Sequence, residues 1–157
     1  MKNSLVVLSE SLDMKLKLLE DIQDYNEKQR AVFDSGEPNI DDFDSAIDEK
    51  DALIERMMKL DDGFEALYKE IAEELKENRM KYADMIKEIQ DKITRVLELS
   101  ASVQVQESRN KKLIEDYFIK QRQGIRQNRV SSKAAYDYYR NMTGMNLQTP
   151  GFLDSKN

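Results

Sequence analysis

The sequence predicts an all-α protein: an elongated antiparallel helical bundle or coiled coil, with one very long helix and a mobile C-terminal segment. Three observations predict it. Charged residues make up 36% of the 157 positions and Gly plus Pro only seven, a balance that favours long helices over sheets and their turns. Aromatics are 8% and Trp is absent, too little for a thick globular core, so burial along narrow stripes fits better. Apolar residues also recur at spacings of three and four, which places them on one face of a helix.

The expected bundle spans 1–123, with helices about 4–34, 39–60 and 63–123. In the first, Leu5, Leu8, Leu12, Leu16, Leu19 and Ile22 form an apolar stripe continuing toward Phe33, with Ser4 as cap. "DSGEPN" (Asp34–Asn39) ends it, Gly36 being suited to a positive φ and Pro38 lacking a donor. Asn39 caps the second helix, where Asp41 and Asp42 complement the positive end of the helix dipole. Its stripe is Ile40, Phe43, Ile47, Leu53, Met57 and Leu60, and "DDG" at Asp61–Gly63 is the expected break.

The third helix carries a sustained seven-residue repeat. It runs from Phe64 through Tyr68, Ile71, Leu75, Asn78, Tyr82, Met85, Ile89, Lys92, Val96, Leu99, Val103, Gln106 and Asn110 to Leu113 and Tyr117. Sixty such residues would span roughly 90 Å, about twice the first helix. The far half then needs another cover: a second copy, a fold-back at Ser100–Gln106, or a foreign helix. The polar members Asn78, Lys92, Gln106 and Asn110 are expected to be tolerated defects in exposed stretches, the alternative being that they fix register.

Charge is distributed unevenly. From Lys120 onward seven basic residues face two acidic ones, a surplus of five, so residues 1–119 carry −11 of the net −6. An acidic body with a basic tail argues against nucleic-acid binding by the body and suits an acidic protein partner for the tail. A nucleic-acid regulator working through Arg122, Arg126, Arg129 and Lys133 is the weaker alternative, and no nucleic acid is expected as partner. With no Cys and no His, disulfides, thiolate or imidazole metal sites and Cys–His or Ser–His catalysis are excluded. The run Leu5–Leu8 is too short for a signal sequence, and no stretch approaches a membrane span, so cytoplasmic residence is expected. The acids of Asp41–Asp51 lack the glycine and the bidentate glutamate of a calcium loop and sit at helical spacing. Pairs such as Glu73–Glu74 or Asp48–Glu49 come without a phosphate loop or other site machinery. The expectation is therefore no enzyme, no metal and no cofactor.

The C-terminal segment, 124–157, departs from this pattern. A short helix about 131–143 is expected from "RVSSKAAYDYYRNM", followed by an irregular tail interrupted by Gly144, Pro150 and Gly151. Disordered termini usually lack aromatics, yet this one holds Tyr136, Tyr138, Tyr139 and Phe152. Alone it buries too little to offset its ordering entropy; against a partner, part of it can order as a helix in a groove. The candidate partner-binding residues are Leu113, Ile114, Tyr117 and Phe118 on the distal long helix, with Ala135, Tyr136, Tyr138, Tyr139 and Met142 in the tail. They are chosen because their apolar faces lack an obvious partner within the chain.

Three stretches carry a family likeness: "AIDEKDALIERMMKLDDGFEALYKEI", "ESRNKKLIEDYFIKQRQGIRQNRVSSKAAYDYY" and the ending "PGFLDSKN". From roughly Ile47 to the end the chain resembles the flagellar export chaperone FlgN family, in its Gram-positive, clostridial-type members. The resemblance implies a small cytoplasmic antiparallel helical bundle that binds the helical terminal segment of hook–filament junction proteins. It would keep them from premature association and deliver them to the type III export gate, which a tyrosine near the C-terminal region contacts. Tyr136, Tyr138 and Tyr139 are equal candidates for that role. The related FliT chaperones of the filament cap protein share size, helicity and a regulated C-terminal helix. The competing reading is a structural coiled coil or scaffold in which the distal helix pairs with its own copy as a homodimer. Whether the tail docks on its own bundle without client is left open.

Overall fold

The computed structural model describes residues 1–124, 137–140 and 152. Helix α1 spans Lys2–Ala31, a single 3-10 turn covers Val32–Asp34, α2 spans Ile40–Glu77 and α3 spans Ala83–Gly124. Residues 137–140 add one further helical turn, and no strand occurs among the described residues. The all-α antiparallel bundle read from the sequence is what the chain forms, with α3 its longest helix at 42 residues.

The helix boundaries differ from expectation at three places. Ser4 lies inside α1, which already begins at Lys2 and whose Leu5 amide bonds the Met1 carbonyl. Gly36 does not adopt a positive φ. Most consequentially, "DDG" does not break the chain: α2 runs through Gly63 to Glu77, and the break falls at Asn78–Tyr82. A glycine within a helix costs only about 1 kcal/mol, and Met57, Phe64, Ile71 and Leu75 are all buried on either side of it. Their burial outweighs that cost. Asp61, at the expected break, instead forms an ion pair with Lys15 at 2.7 Å. At the true break the Asn78 side chain donates to the Glu74 carbonyl at 2.7 Å, and Met80 is 90% exposed. A side-chain amide that competes for backbone carbonyls, with no apolar anchor to follow, ends the helix without Gly or Pro. Asn39 does cap α2, its side-chain oxygen accepting the Asp41 amide at 3.0 Å.

The described residues fall into two compact units, and each long helix contributes to both. Unit 1 contains Met1–Glu20, Ile54–Ser100 and Phe152; unit 2 contains Asp21–Leu53, 101–124 and 137–140. In unit 1 the core is built from Leu5, Leu8, Leu12, Leu16 and Leu19 of α1, Met57, Phe64, Ile71 and Leu75 of α2, and Ile86, Ile89 and Val96 of α3. Lys92 ties α3 to α1 through Ser9 at 2.6 Å and Asp13 at 3.0 Å. Phe152 lies against Tyr68 and Phe64, with ring centroids 4.8 and 6.1 Å apart.

In unit 2, cross-helix bonds pair Gln23 with Ser102, Asn26 with Gln106 and Gln29 with Asn110, so α1 and α3 run parallel. Asn26 reaches Lys50 while Gln29 reaches back to Phe43, so α2 runs antiparallel to α1. Val103, Ile114 and Phe118 of α3 are buried here. The distal stripe of the third helix is therefore at least partly covered within unit 2, and Ser100–Gln106 is continuous helix rather than a fold-back. The turn at Asn78–Tyr82 shortens that helix, and α1 and α2 supply its cover.

Candidate functional site

The most unusual feature of unit 2 is a polar layer set into its apolar stripes. On α1 the stripe through Leu19 and Ile22 continues at helical spacing into Asn26 and Gln29, both fully buried. On α2, Lys50 stands three residues after Ile47 and seven after Phe43, on the same face, with 0% of its surface exposed. On α3, Glu107 and Asn110 fill the positions between buried Val103 and Ile114. Three helices thus each aim polar groups at one level of the core.

Lysine is rarely buried unless its charge and all its donors are matched, and here they are. The Lys50 ammonium donates to Asn26 Oδ1 and Gln29 Oε1, each at 2.7 Å, and to the two Glu107 oxygens at 2.8 and 3.0 Å. Asn110 donates to the Asn26 carbonyl at 3.0 Å and to Gln29 Oε1 at 3.3 Å. Asn26 donates to Gln106, and Gln29 to the Phe43 carbonyl, both at 3.1 Å. At the edge, Arg30 first and then Arg109 bond Glu27 and hold its carboxyl below the usual carboxylate range, with Gln106 adding a weaker contact.

Tyr138 closes this layer. Only 2% exposed, it donates its hydroxyl to Glu107 Oε1 at 2.8 Å and sets its ring 4.4 Å from the Lys50 ammonium, within cation–π range. Tyr139, also buried, packs edge-on to Tyr138 at 5.0 Å. Its hydroxyl is buried without a hydrogen-bond partner among the described residues.

The electrostatics follow from the burial. Desolvation lowers the Lys50 pKa to about 8 although the Glu107 charge opposes it. The Tyr138 phenol is pushed well above 10, first by burial and then by the adjacent Glu107 charge. Tyr139 shifts the same way, by burial and by the charges of Glu107 and Glu115. Tyr138 is therefore a hydrogen-bond donor at any physiological pH.

Of the predicted partner-binding residues, Ile114, Phe118, Tyr138 and Tyr139 are buried within the chain, while Leu113 and Tyr117 are half-buried. Tyr117 meets Phe33, which in turn meets Phe43. The premise that their apolar faces lack a partner within the chain is thus corrected: they are buried or half-buried in the folded chain, with Phe33 of the 3-10 turn against Tyr117. Ala135, Tyr136 and Met142 lie outside the described residues. So do the other residues of the expected 131–143 helix apart from 137–140.

The polar members of the repeat also turn out otherwise than expected. Asn110 is fully buried and Gln106 and Lys92 bond across helices, so these three have partners rather than standing as defects in exposed stretches, while Asn78 lies in the α2–α3 turn. Lys50, Glu107, Asn26 and Gln29 went unnoticed in the sequence. Their signal was present: each occupies a place where an apolar stripe calls for a core residue.

A family model described as FlgN protein matches residues 1–131. The chain belongs to the FlgN family. The match includes the first 46 residues, which the sequence resemblance had left out, and stops before the tyrosine-rich segment. No curated protein and no solved structure matches the chain. FlgN proteins are flagellar export chaperones that bind flagellar substrate proteins, and the family is one of chaperones rather than enzymes. No helix among the described residues is long and apolar enough to cross a membrane.

Proposed function

We propose that this FlgN-family protein is a cytoplasmic chaperone for the helical terminal segment of hook–filament junction proteins. It keeps those segments from premature association and hands them to the flagellar export gate. The observation that carries the reading of the site is the seat of Tyr138 and Tyr139 on unit 2. A one-turn helical segment of the chain itself sits against Lys50 of α2 and Glu107 of α3. A client helix takes that place, contacting the distal part of α3 around Leu113, Ile114, Tyr117 and Phe118 once residues 138 and 139 withdraw. The displaced segment, with Ala135, Tyr136, Tyr138, Tyr139 and Met142, then closes over the client or turns to the export gate. Burial of the client's apolar stripe supplies affinity, and the −11 charge of residues 1–119 favours approach of a basic client.

The test is titration of the full-length chain with terminal segments of junction proteins, followed by calorimetry and by hydrogen exchange at residues 137–140. A one-to-one complex with a Kd below roughly 50 µM, and changed exchange at 137–140, is expected. No complex with any junction-protein segment removes this reading.

A further inference from the structure

We infer that the Lys50–Glu107 pair makes the unit 2 face selective for a helix that brings a tyrosine to the position of Tyr138. This rests on the proposed exchange between residues 137–140 and a client, and it names the chemistry of the client. The argument is one of satisfaction. Glu107 is 4% exposed, and among the described residues its Oε1 accepts from two donors, Lys50 at 2.8 Å and the Tyr138 hydroxyl at 2.8 Å. Lys50 spends its protons on Asn26, Gln29 and Glu107 and meets the Tyr138 ring on its remaining side. A helix offering Leu or Phe at that point would cover a carboxylate while removing one of its donors, which a buried charge tolerates poorly. Phe would keep the ring over the ammonium but not the donor; Ser would keep the donor but not the ring. Tyrosine alone among the common side chains restores both contacts in the geometry already present.

Tyr139 provides the contrast. Its hydroxyl has no acceptor among the described residues, so the adjacent position asks for an aromatic ring and is indifferent to the phenol. The face therefore reads two neighbouring aromatics differently: a tyrosine at the first position, and tyrosine or phenylalanine at the second.

The test uses the full-length chain carrying Tyr138→Ala and Tyr139→Ala, which empties the face. Its probes are two synthetic peptides, "SSKAAYDYYRNMTGMN" (residues 131–146) and the same peptide with Tyr138→Phe. The unsubstituted peptide is expected to bind roughly 10- to 100-fold more tightly, the range for a hydrogen bond to a charged group. That ratio should fall to near one when the chain also carries Lys50→Met and Glu107→Leu. Should the emptied chain lose its helical circular dichroism, the same comparison is made within the intact chain. Tyr138→Phe should then destabilise the natural background and be neutral in the Lys50→Met/Glu107→Leu background. Equal binding of the two peptides, tighter binding of the Phe peptide, or binding of neither overturns the inference. A junction protein that binds while the peptides show no discrimination sinks the inference alone. Discriminating peptides with no junction-protein binding sink the proposed client instead.

Discussion

Substituting Lys50 by Met keeps the length of the side chain and deletes its charge. Three consequences follow from the geometry. Among the described residues, Asn26 Oδ1 loses its Lys50 donor, Gln29 Oε1 keeps Asn110 at 3.3 Å, and Glu107 remains buried with Tyr138 as its remaining donor. Removing one member of a buried pair costs about 3–5 kcal/mol, most of it from the stranded partner. For a chain of this length that lowers the Tm by roughly 6–20 °C. Adding Glu107→Leu removes the stranded carboxylate, leaving the two acceptors on α1 and the Tyr138 hydroxyl to find water or rearrange. The double variant should therefore be more stable than Lys50→Met alone by about 1–3 kcal/mol, although it contains one more substitution. Urea denaturation followed by circular dichroism at pH 7 reads all four members of the cycle. If Lys50→Met falls within about 0.5 kcal/mol of the natural chain, or if the two single losses simply add, the layer is not a coupled unit. The reasoning built on it would then fail.

Other perturbations separate the remaining elements. Gly63→Ala in α2 should raise stability by about 1 kcal/mol, because the position is helical, exposed, and open around an added Cβ; a lower Tm would mean the helix is interrupted there after all. Asn39→Ala should cost about 1 kcal/mol by removing the cap on Asp41, and an unchanged urea midpoint would deny the cap any role. Tyr139→Phe should be neutral or slightly stabilising, since it deletes a buried hydroxyl without a hydrogen bond among the described residues; a loss above about 1 kcal/mol contradicts this. Stability should rise by about 2 kcal/mol from pH 8 to 10, because folded Lys50, facing Asn26, Gln29, Glu107, Tyr138 and Asp51, releases its proton near 8 while the unfolded chain holds it to 10.5. Above pH 10 stability should fall, since folding keeps Tyr138 and Tyr139 protonated while the unfolded chain does not; a Lys50→Met chain that still shows the rise refutes the assignment.

How much of this was legible in the sequence depends on which physical signal carried it. The α1 stripe from Leu5 to Ile22 and the Asn39 cap were readable because each depends on residues a few positions apart. The position of the α2–α3 turn was not. "DDG" looks like a break by local propensity, yet Phe64 and Met57 bury the helix through it, and tertiary burial outweighs a single glycine. By spacing Asn78 is an ordinary member of a heptad, and only the competition of its amide for the Glu74 carbonyl reveals it as a terminator. The polar layer was half visible. Asn110 and Gln106 stood out as polar members of an apolar repeat, but their partners lie about eighty residues away on α1. Periodicity says which face a residue occupies and nothing about what stands opposite. Charge is subject to the same blindness: stripe spacing places Lys50 and Glu107 on buried faces, but among thirty-one acids and twenty-five basic residues nothing marks them as each other's partner.

On the proposed exchange of residues 137–140 for a client, a face that opens and closes has reason to be floored with such a layer rather than with leucines. An apolar floor would hold the tyrosine segment strongly and, once bared, would present a sticky surface to every passing chain. A floor of Lys50, Glu107, Asn26, Gln29 and Asn110 behaves differently when uncovered. Water can rehydrate the ammonium and the carboxylate and replace the Tyr138 donor, so opening recovers part of the desolvation cost that closure imposes. The closed state is thereby weakened without losing its geometry, because each polar group still demands one particular partner. Under the proposed exchange, such a floor favours turnover of occupants over permanent closure and discriminates among them by the donors they bring rather than by the apolar area they bury.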